Sequence, residues 1–212
     1  MWKGFEGDAG MKAVLMSIQP KWCALIASGK KTLEVRKTKP KLDVPFKVYI
    51  YCTKDKPYLQ SRNNMFFYLE DKDTIGGHGP GLYIRLNGTV IGEFVCNKVE
   101  YWQHYWKDDV LHIDDMSALS CVDFFDLMKY ANGGRLYGFR ISDLKIYEHP
   151  KKLSEFKCFC DGLSGNIGCK GCEYYYTESN ESIGFYEECG CDNLRPLSRP
   201  PQSWCYVEEL QG

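Results

Sequence analysis

The chain carries almost no net charge: 27 Lys and Arg against 28 Asp and Glu leave a formal −1 over 212 residues. That balance excludes a uniformly basic protein that coats nucleic acid by charge alone. No apolar run approaches the length of a membrane span, and the first ten residues, MWKGFEGDAG, have no apolar core of the kind a signal peptide needs. No membrane partner is therefore expected. Histidine is scarce, with four in the chain, and neither an internal repeat nor a low-complexity tract is present. Cysteine is thin over most of the sequence. Five of the eleven are scattered, and the other six (Cys158, Cys160, Cys169, Cys172, Cys189, Cys191) crowd into 34 residues. The total stays under the roughly 8–10% that marks a disulfide scaffold.

What is present suffices for a core. Hydrophobic residues make up 44% of the chain and aromatics 15%, which excludes global disorder, and the length fits one ordinary domain with an excursion. Residues 1–10 read as a leader, an alternative start or an expression remnant, and Met11 as the more natural start. Without an export signal the chain is expected in the cytoplasm with its thiols reduced, where a cysteine cluster reads as metal-binding before disulfide-bonded. The neutral total also hides an asymmetry. Residues 11–60 hold eleven basic against three acidic side chains, whereas residues 158–195 hold two against seven. The basic front is the candidate anion-binding surface.

Residues 12–18 read as a short buried strand, and Pro20 suits the first turn of a helix, where its missing N–H costs nothing. That helix would end near Gly29, placed where a left-handed residue is wanted. Alternation follows, with Thr32, Glu34 and Arg36 on one face and Leu33 and Val35 on the other. Residues 46–53 alternate again. Residues 57–81 read as a long loop, and strands at 82–86 and 89–96 are joined by Asn87-Gly88, a hairpin signal. Ser120 resembles an N-cap with Asp123 three residues on, opening a helix that carries Val122, Phe125 and Met128 inward and stops at Asn132-Gly133. Residues 135–147 return to strand character. The order β-α-β-β-(loop)-β-β-α-β favours an α+β fold, a small β-barrel decorated by two or three helices, over a doubly wound sheet.

The segment Gly29-Lys30-Lys31-Thr32-Leu33-Glu34-Val35-Arg36 contains G-x-K-x-x-E-x-R. Period two on a strand brings Glu34 and Arg36 to one face with Thr32 beside them, and Lys31 enters from the turn. Arg offers a planar fork for phosphate or base edges, Lys a compact donor, and Glu an acceptor for exocyclic amines. Trp22, Tyr49 and Tyr51 could supply stacking faces suited to unpaired bases. The bland alternative is a solvated Lys–Glu–Arg ladder worth little.

With the preceding Ser17-Ile18-Gln19-Pro20-Lys21-Trp22, this motif resembles the ASCH family, a branch of the PUA-like β-barrels, over residues 12–157; Gly92-Glu93-Phe94 and Tyr137–Ser142 resemble its later strands. The resemblance implies RNA or nucleotide binding, and the ligand-binding residues expected from the two readings together are Trp22, Lys31, Thr32, Glu34, Arg36 and Tyr51. Some members hydrolyse modified nucleosides. The small amidohydrolases that deacetylate N4-acetylcytidine use a Lys–Thr–Glu set whose Lys matches Lys31 and whose Thr falls on Glu34, so this chain lacks their nucleophile there. Lys31 and Glu34 would be catalytic only if the protein is an enzyme.

The spacing Cys158-x-Cys160-x8-Cys169-x2-Cys172-x16-Cys189-x-Cys191 offers three thiol pairs, two of which would complete a tetrahedral zinc site. The excursion is poor in aliphatics and could not bury much core unaided. Structural zinc on four of the six is the expectation, with disulfides and free thiols as alternatives. No organic cofactor is expected: the glycine run at 76–81 lacks the Walker lysine. His78, His104 and His112 read as ordinary surface or core residues. The division expected is residues 1–10, a barrel at 11–157, a Cys-rich excursion at 158–195, and a segment at 196–212 that docks on the barrel. The function expected is an RNA- or nucleotide-binding module, or alternatively a hydrolase acting on a modified nucleobase or on RNA; no protein partner can be named.

Overall fold

The computed structural model describes residues 12–56, 58–62, 65–69, 84–103, 112–159 and 194–210. In chain order the elements are β1 (Lys12–Ile18), α1 (Pro20–Ala27), β2 (Leu33–Arg36), β3 (Phe46–Cys52), β4 (Tyr58–Arg62), β5 (Met65–Leu69), β6 (Ile84–Arg85), β7 (Val90–Cys96), β8 (Val99–Trp102), α2 (Ile113–Ser120), α3 (Phe124–Ala131), β9 (Leu136–Arg140), β10 (Ser142–Lys151), β11 (Lys157–Phe159), β12 (Leu194–Pro196) and β13 (Trp204–Glu208). One seven-stranded sheet has the order β10-β7-β3-β1-β13-β11-β12, and two three-stranded sheets run β2-β9-β8 and β5-β4-β6.

β1 lies mid-sheet, parallel to β3 and antiparallel to β13, and is buried from Ala13 to Ile18. Covered on both faces, it needs the continuous apolar run its sequence has. Val14, Met16 and Ile18 join Cys23 and Ile26 of α1 in one cluster, while Ala13 and Leu15 join Tyr49, Tyr51, Phe156 and Val207 in another. A third cluster packs Leu33 and Val35 of β2 against Met116 of α2 and Leu127 of α3.

The chain after Pro200 ties itself to β1 and to the basic loop that follows β2. β13 pairs along β1 from Lys12↔Glu208 to Met16↔Trp204. Just beyond, the Ser17 hydroxyl donates to the Pro201 carbonyl at 2.6 Å, and the Ser17 amide donates to the Ser203 carbonyl. Trp204 donates from its indole nitrogen to the Thr38 hydroxyl at 3.0 Å, and the Lys41 amide donates to the Tyr206 phenol oxygen.

The mixed α+β content stands, but among the described residues the sheets stay open and no closed barrel forms. Residues 135–147, expected as one strand, divide in two. The chain breaks after Arg140, Asp143 takes a left-handed φ of 47°, and β9 and β10 serve different sheets. Residues 57–81 are not simply a loop, because β4 and β5 pair there; the glycine run at 76–81 lies outside the described residues. Asn87-Gly88 does not close a hairpin either. Asn87 accepts the Leu59 amide and donates to the Asp55 carbonyl, so β6 pairs with β4 while β7 pairs with β3. Ser120 ends α2, and the N-cap of α3 is Asp123, which accepts the Phe125 amide at 2.8 Å. The later start turns Leu127 and Ala131 inward and leaves Phe125 76% exposed. Of the six excursion cysteines only Cys158 lies within the described residues, and His78 and His104 lie outside them.

Candidate functional site

Three backbone devices deliver the motif. Pro20 opens α1, Gly29 leaves it at φ 73°, and the Lys31 amide then donates to the Leu25 carbonyl. Gly29 has no Cβ to strain that left-handed conformation. The Thr32 amide donates to the Leu119 carbonyl at the end of α2, and β2 pairs with β9 from Leu33↔Arg140 to Arg36↔Tyr137.

Leu33 and Val35 enter the apolar cluster under α2 and α3, so Glu34 and Arg36 take the other face. Instead of a solvated ladder they form a buried ionic set. Lys31 is 2% exposed and Glu34 4%. The Lys31 ammonium donates to the Ser120 carbonyl at 2.7 Å and lies 3.4 Å from Glu34 Oε2. Arg36 Nη2 lies 3.0 Å from Glu34 Oε1 and donates to the Ser17 carbonyl at 2.7 Å. Glu34 Oε2 and Arg36 Nε are buried without a hydrogen-bond partner. Burial holds the pKa of Lys31 below its ordinary range against the opposing pull of Glu34, and Arg36 adds to the lowering.

Trp22 flanks this set, half-buried, with the Lys31 ammonium 5.2 Å and the Lys21 ammonium 4.4 Å from its ring. Thr32 is exposed and bonds through its backbone, so it does not join the ionic contacts. Tyr51 is not brought to the site. Strand alternation puts Val48, Ile50 and Cys52 on the α1 side, and Tyr49 and Tyr51 into the opposite cluster, where Tyr51 is 1% exposed. The Tyr49 hydroxyl accepts the Leu210 amide there.

Sequence reasoning missed the Ser17 and Ser120 carbonyls, which no side-chain pattern reveals, and it missed Cys23. That thiol lies close enough to feel both Glu34 and Arg36. Burial first, then a hydrogen bond with Cys52, keeps it well above the usual thiol range, so it is a neutral wall and not a nucleophile. Among the described residues no group of three or more His, Cys, Asp or Glu could hold a metal ion, and no helix is long and apolar enough to cross a membrane.

A mixed α+β chain with a buried Lys–Glu–Arg set at the mouth of a helix–turn–strand unit is the class so defined. The sequence model of the ASCH domain matches residues 16–206, and the chain belongs to that family. Among solved structures, the ASCH protein of Zymomonas mobilis is similar at 16% identity, over 66% of this chain and 73% of that one, with a TM-score of 0.42. A point variant of the same protein is similar at 16% identity, over 68% and 77%, with a TM-score of 0.41. No curated protein matches the chain.

Proposed function

We propose that this ASCH domain binds single-stranded RNA or a nucleotide, with Lys31, Glu34 and Arg36 forming the recognition set and Trp22 beside it. One observation carries the reading: Glu34 Oε2, which has only the ion pair with Lys31 at 3.4 Å, and Arg36 Nε are both buried without a hydrogen-bond partner. Burying ions is costly and leaving their hydrogen-bonding atoms unpaired costs more, which favours a set kept for a ligand over one kept for stability. A ligand with one donor and one acceptor would satisfy both atoms, and the amino group and ring nitrogen of a cytosine or adenine offer that pair. Both atoms are covered, so the ligand reaches them only as a neighbouring side chain moves aside; half-buried Trp22 is the candidate. Exposed Lys30 precedes the motif and exposed Lys37, Lys39 and Lys41 follow it, positive charge for the phosphates.

The test is a titration of the purified protein with nucleosides, nucleotides and short RNAs, followed for both binding and product. Saturable binding lost on Arg36→Ala supports the module, and folded Lys31→Ala and Arg36→Ala variants that bind like the parent would remove it. Tight binding of an uncharged nucleoside would indicate a base pocket, and a steep salt dependence would indicate phosphate contacts.

A second reading, hydrolysis of a modified nucleobase, draws on Lys31, a buried amine of lowered pKa beside a carboxylate. Product formation that disappears with Lys31→Met would select it. The proposal also includes structural zinc on four of the six excursion cysteines, and a purified protein without zinc would remove that part.

A further inference from the structure

The face of β2 that carries Arg36 continues across the three-stranded sheet. Arg36 stands opposite Tyr137 on β9, and Tyr137 opposite Tyr101 on β8. Residues directly opposite on adjacent strands share a face, so these three side chains make one row, on strands about 4.8 Å apart. Arg135 joins from just before β9. Its guanidinium lies 5.0 Å from the centre of the Tyr101 ring, donates to Gln103 Oε1 at 2.8 and 3.2 Å, and donates to the Tyr137 hydroxyl at 3.4 Å. The Lys39 ammonium lies 5.9 Å from the Tyr137 ring. Arg135 and Lys39 are exposed, and both tyrosines are half-buried. The carboxylate sharing this face of β2, Glu34, is already engaged by Lys31 and Arg36.

We propose that Tyr101, Arg135 and Tyr137 form a platform on which the bases of a single-stranded RNA stack, leading away from the Arg36 end of the site. The proposal rests on the RNA-binding reading above and extends it from one nucleotide to its neighbours. Cations along a row of aromatic rings match a strand whose phosphates and bases both face the protein, as unpaired nucleotides can and duplex cannot. Gln103 Oε1 holds the guanidinium over Tyr101, and the planar group of exposed Arg135 offers a base a stacking face. Lys39, on a flexible stem, can leave the Tyr137 ring for a phosphate.

The experiment uses the full chain with a fluorescein-labelled decamer of alternating cytidine and adenosine, the same decamer paired with its complement, cytidine monophosphate, and a glutamate decamer. Tyr101→Leu and Tyr137→Leu are expected to weaken decamer binding by about tenfold or more each, and Tyr101→Phe by less than about twofold. Arg135→Lys keeps the charge and loses the plane. It is expected to weaken decamer binding by about fivefold with an unchanged salt slope. Cytidine monophosphate should bind all four variants as it binds the parent.

Four results would overturn the platform: folded Tyr101→Leu, Tyr137→Leu or Arg135→Lys variants that bind the decamer like the parent; duplex bound as tightly as single strand; glutamate decamer bound as tightly as RNA; or no RNA binding by the parent. The last removes the RNA reading as well. Unchanged decamer binding alongside retained monophosphate binding removes the platform alone. Decamer binding that needs the platform, in a protein that ignores the monophosphate, supports the platform and counts against the Lys31–Glu34–Arg36 assignment.

Discussion

The Lys31 ammonium lies 3.4 Å from Glu34 Oε2 with both side chains closed off from solvent. Removing either partner is therefore costly, but not equally so. Glu34→Gln leaves the buried Lys31 and the partly buried Arg36 without their counter-ion and should cost about 3–5 kcal/mol. Lys31→Met leaves Glu34 still paired with Arg36 at 3.0 Å. Its main loss is the hydrogen bond to the Ser120 carbonyl, about 1–3 kcal/mol. Urea melts should thus rank Glu34→Gln as the worse variant, and the double variant should cost less than the two singles together. The opposite ranking would mean that the carboxylate is not the centre of the set.

How much of this was legible follows residue by residue. Pro20, Gly29 and the alternation from Leu33 to Arg36 mark a helix, a turn and a strand through local chemistry alone, and local chemistry is what a sequence displays. The alternation of β3 was equally visible, but both of its faces are buried, so nothing local tells whether Tyr51 or Cys52 faces the site. The acceptors that fix Lys31 and Arg36 are the backbone carbonyls of Ser120 and Ser17, 89 and 19 residues away, and only the topology brings them in. Asn87 shows the same limit. Its turn chemistry was readable, yet its side chain serves Leu59 of β4 and Asp55 in the connection before it, and the hairpin it advertises is not made.

Buried thiols should make the fold sensitive to alkali. Burial pushes the Cys96 thiol up from the usual 9.0 to about 11, against hydrogen bonds with the Lys98 and Arg140 backbone that pull it down. A folded pKa above the unfolded one means stability fully present below the unfolded value and lost as pH rises through the folded one. Urea melts at steps from about pH 8 to about pH 11 should show falling stability, with a shallower fall for Cys96→Ala. Parallel curves for parent and variant would show that this thiol does not contribute. Cys23, which burial also raises, should act in the same direction.

Two glycines separate a clash with backbone from a clash with a side chain. A Cβ at Gly92 would lie 2.4 Å from the Lys145 carbonyl oxygen and 3.1 Å from Ile146 Cα, where β7 meets the irregular stretch of β10. A Cβ at Gly138 would meet the Leu33 methyl groups at 2.8 and 3.0 Å. Leu33 can shift a rotamer and the β10 backbone cannot. Gly138→Ala should therefore cost about 1–3 kcal/mol and Gly92→Ala more, with loss of β10 protection in hydrogen exchange. Equal costs would mean that β10 yields as easily as a side chain.

Ser17 joins the site to the C-terminal segment, since its carbonyl receives Arg36 and its hydroxyl donates to Pro201. Ser17→Ala keeps the first bond and leaves the second carbonyl without its donor at a largely buried position. The cost should be about 1–3 kcal/mol. Amides of β13 should exchange faster in the variant, whereas those of α1 should not. A loss spread evenly over the chain would mean that the bond does not act locally.

Lys37 and Lys39 follow directly on Arg36, both exposed, and they lie 5.0 and 5.9 Å from the rings of Tyr130 and Tyr137. Neither contact contributes much to folding, so Lys37→Ala and Lys39→Ala should change stability by less than about 0.5 kcal/mol. Their effect should fall on RNA. Each phosphate contact to a single strand contributes about 0.7 to the slope of log affinity against log salt. Each variant should therefore weaken a short RNA at low salt and lower the slope by about that amount, so that parent and variant converge as salt rises. A weaker affinity with an unchanged slope would place these lysines against bases or other groups, and an unchanged affinity would remove the basic loop from the RNA path.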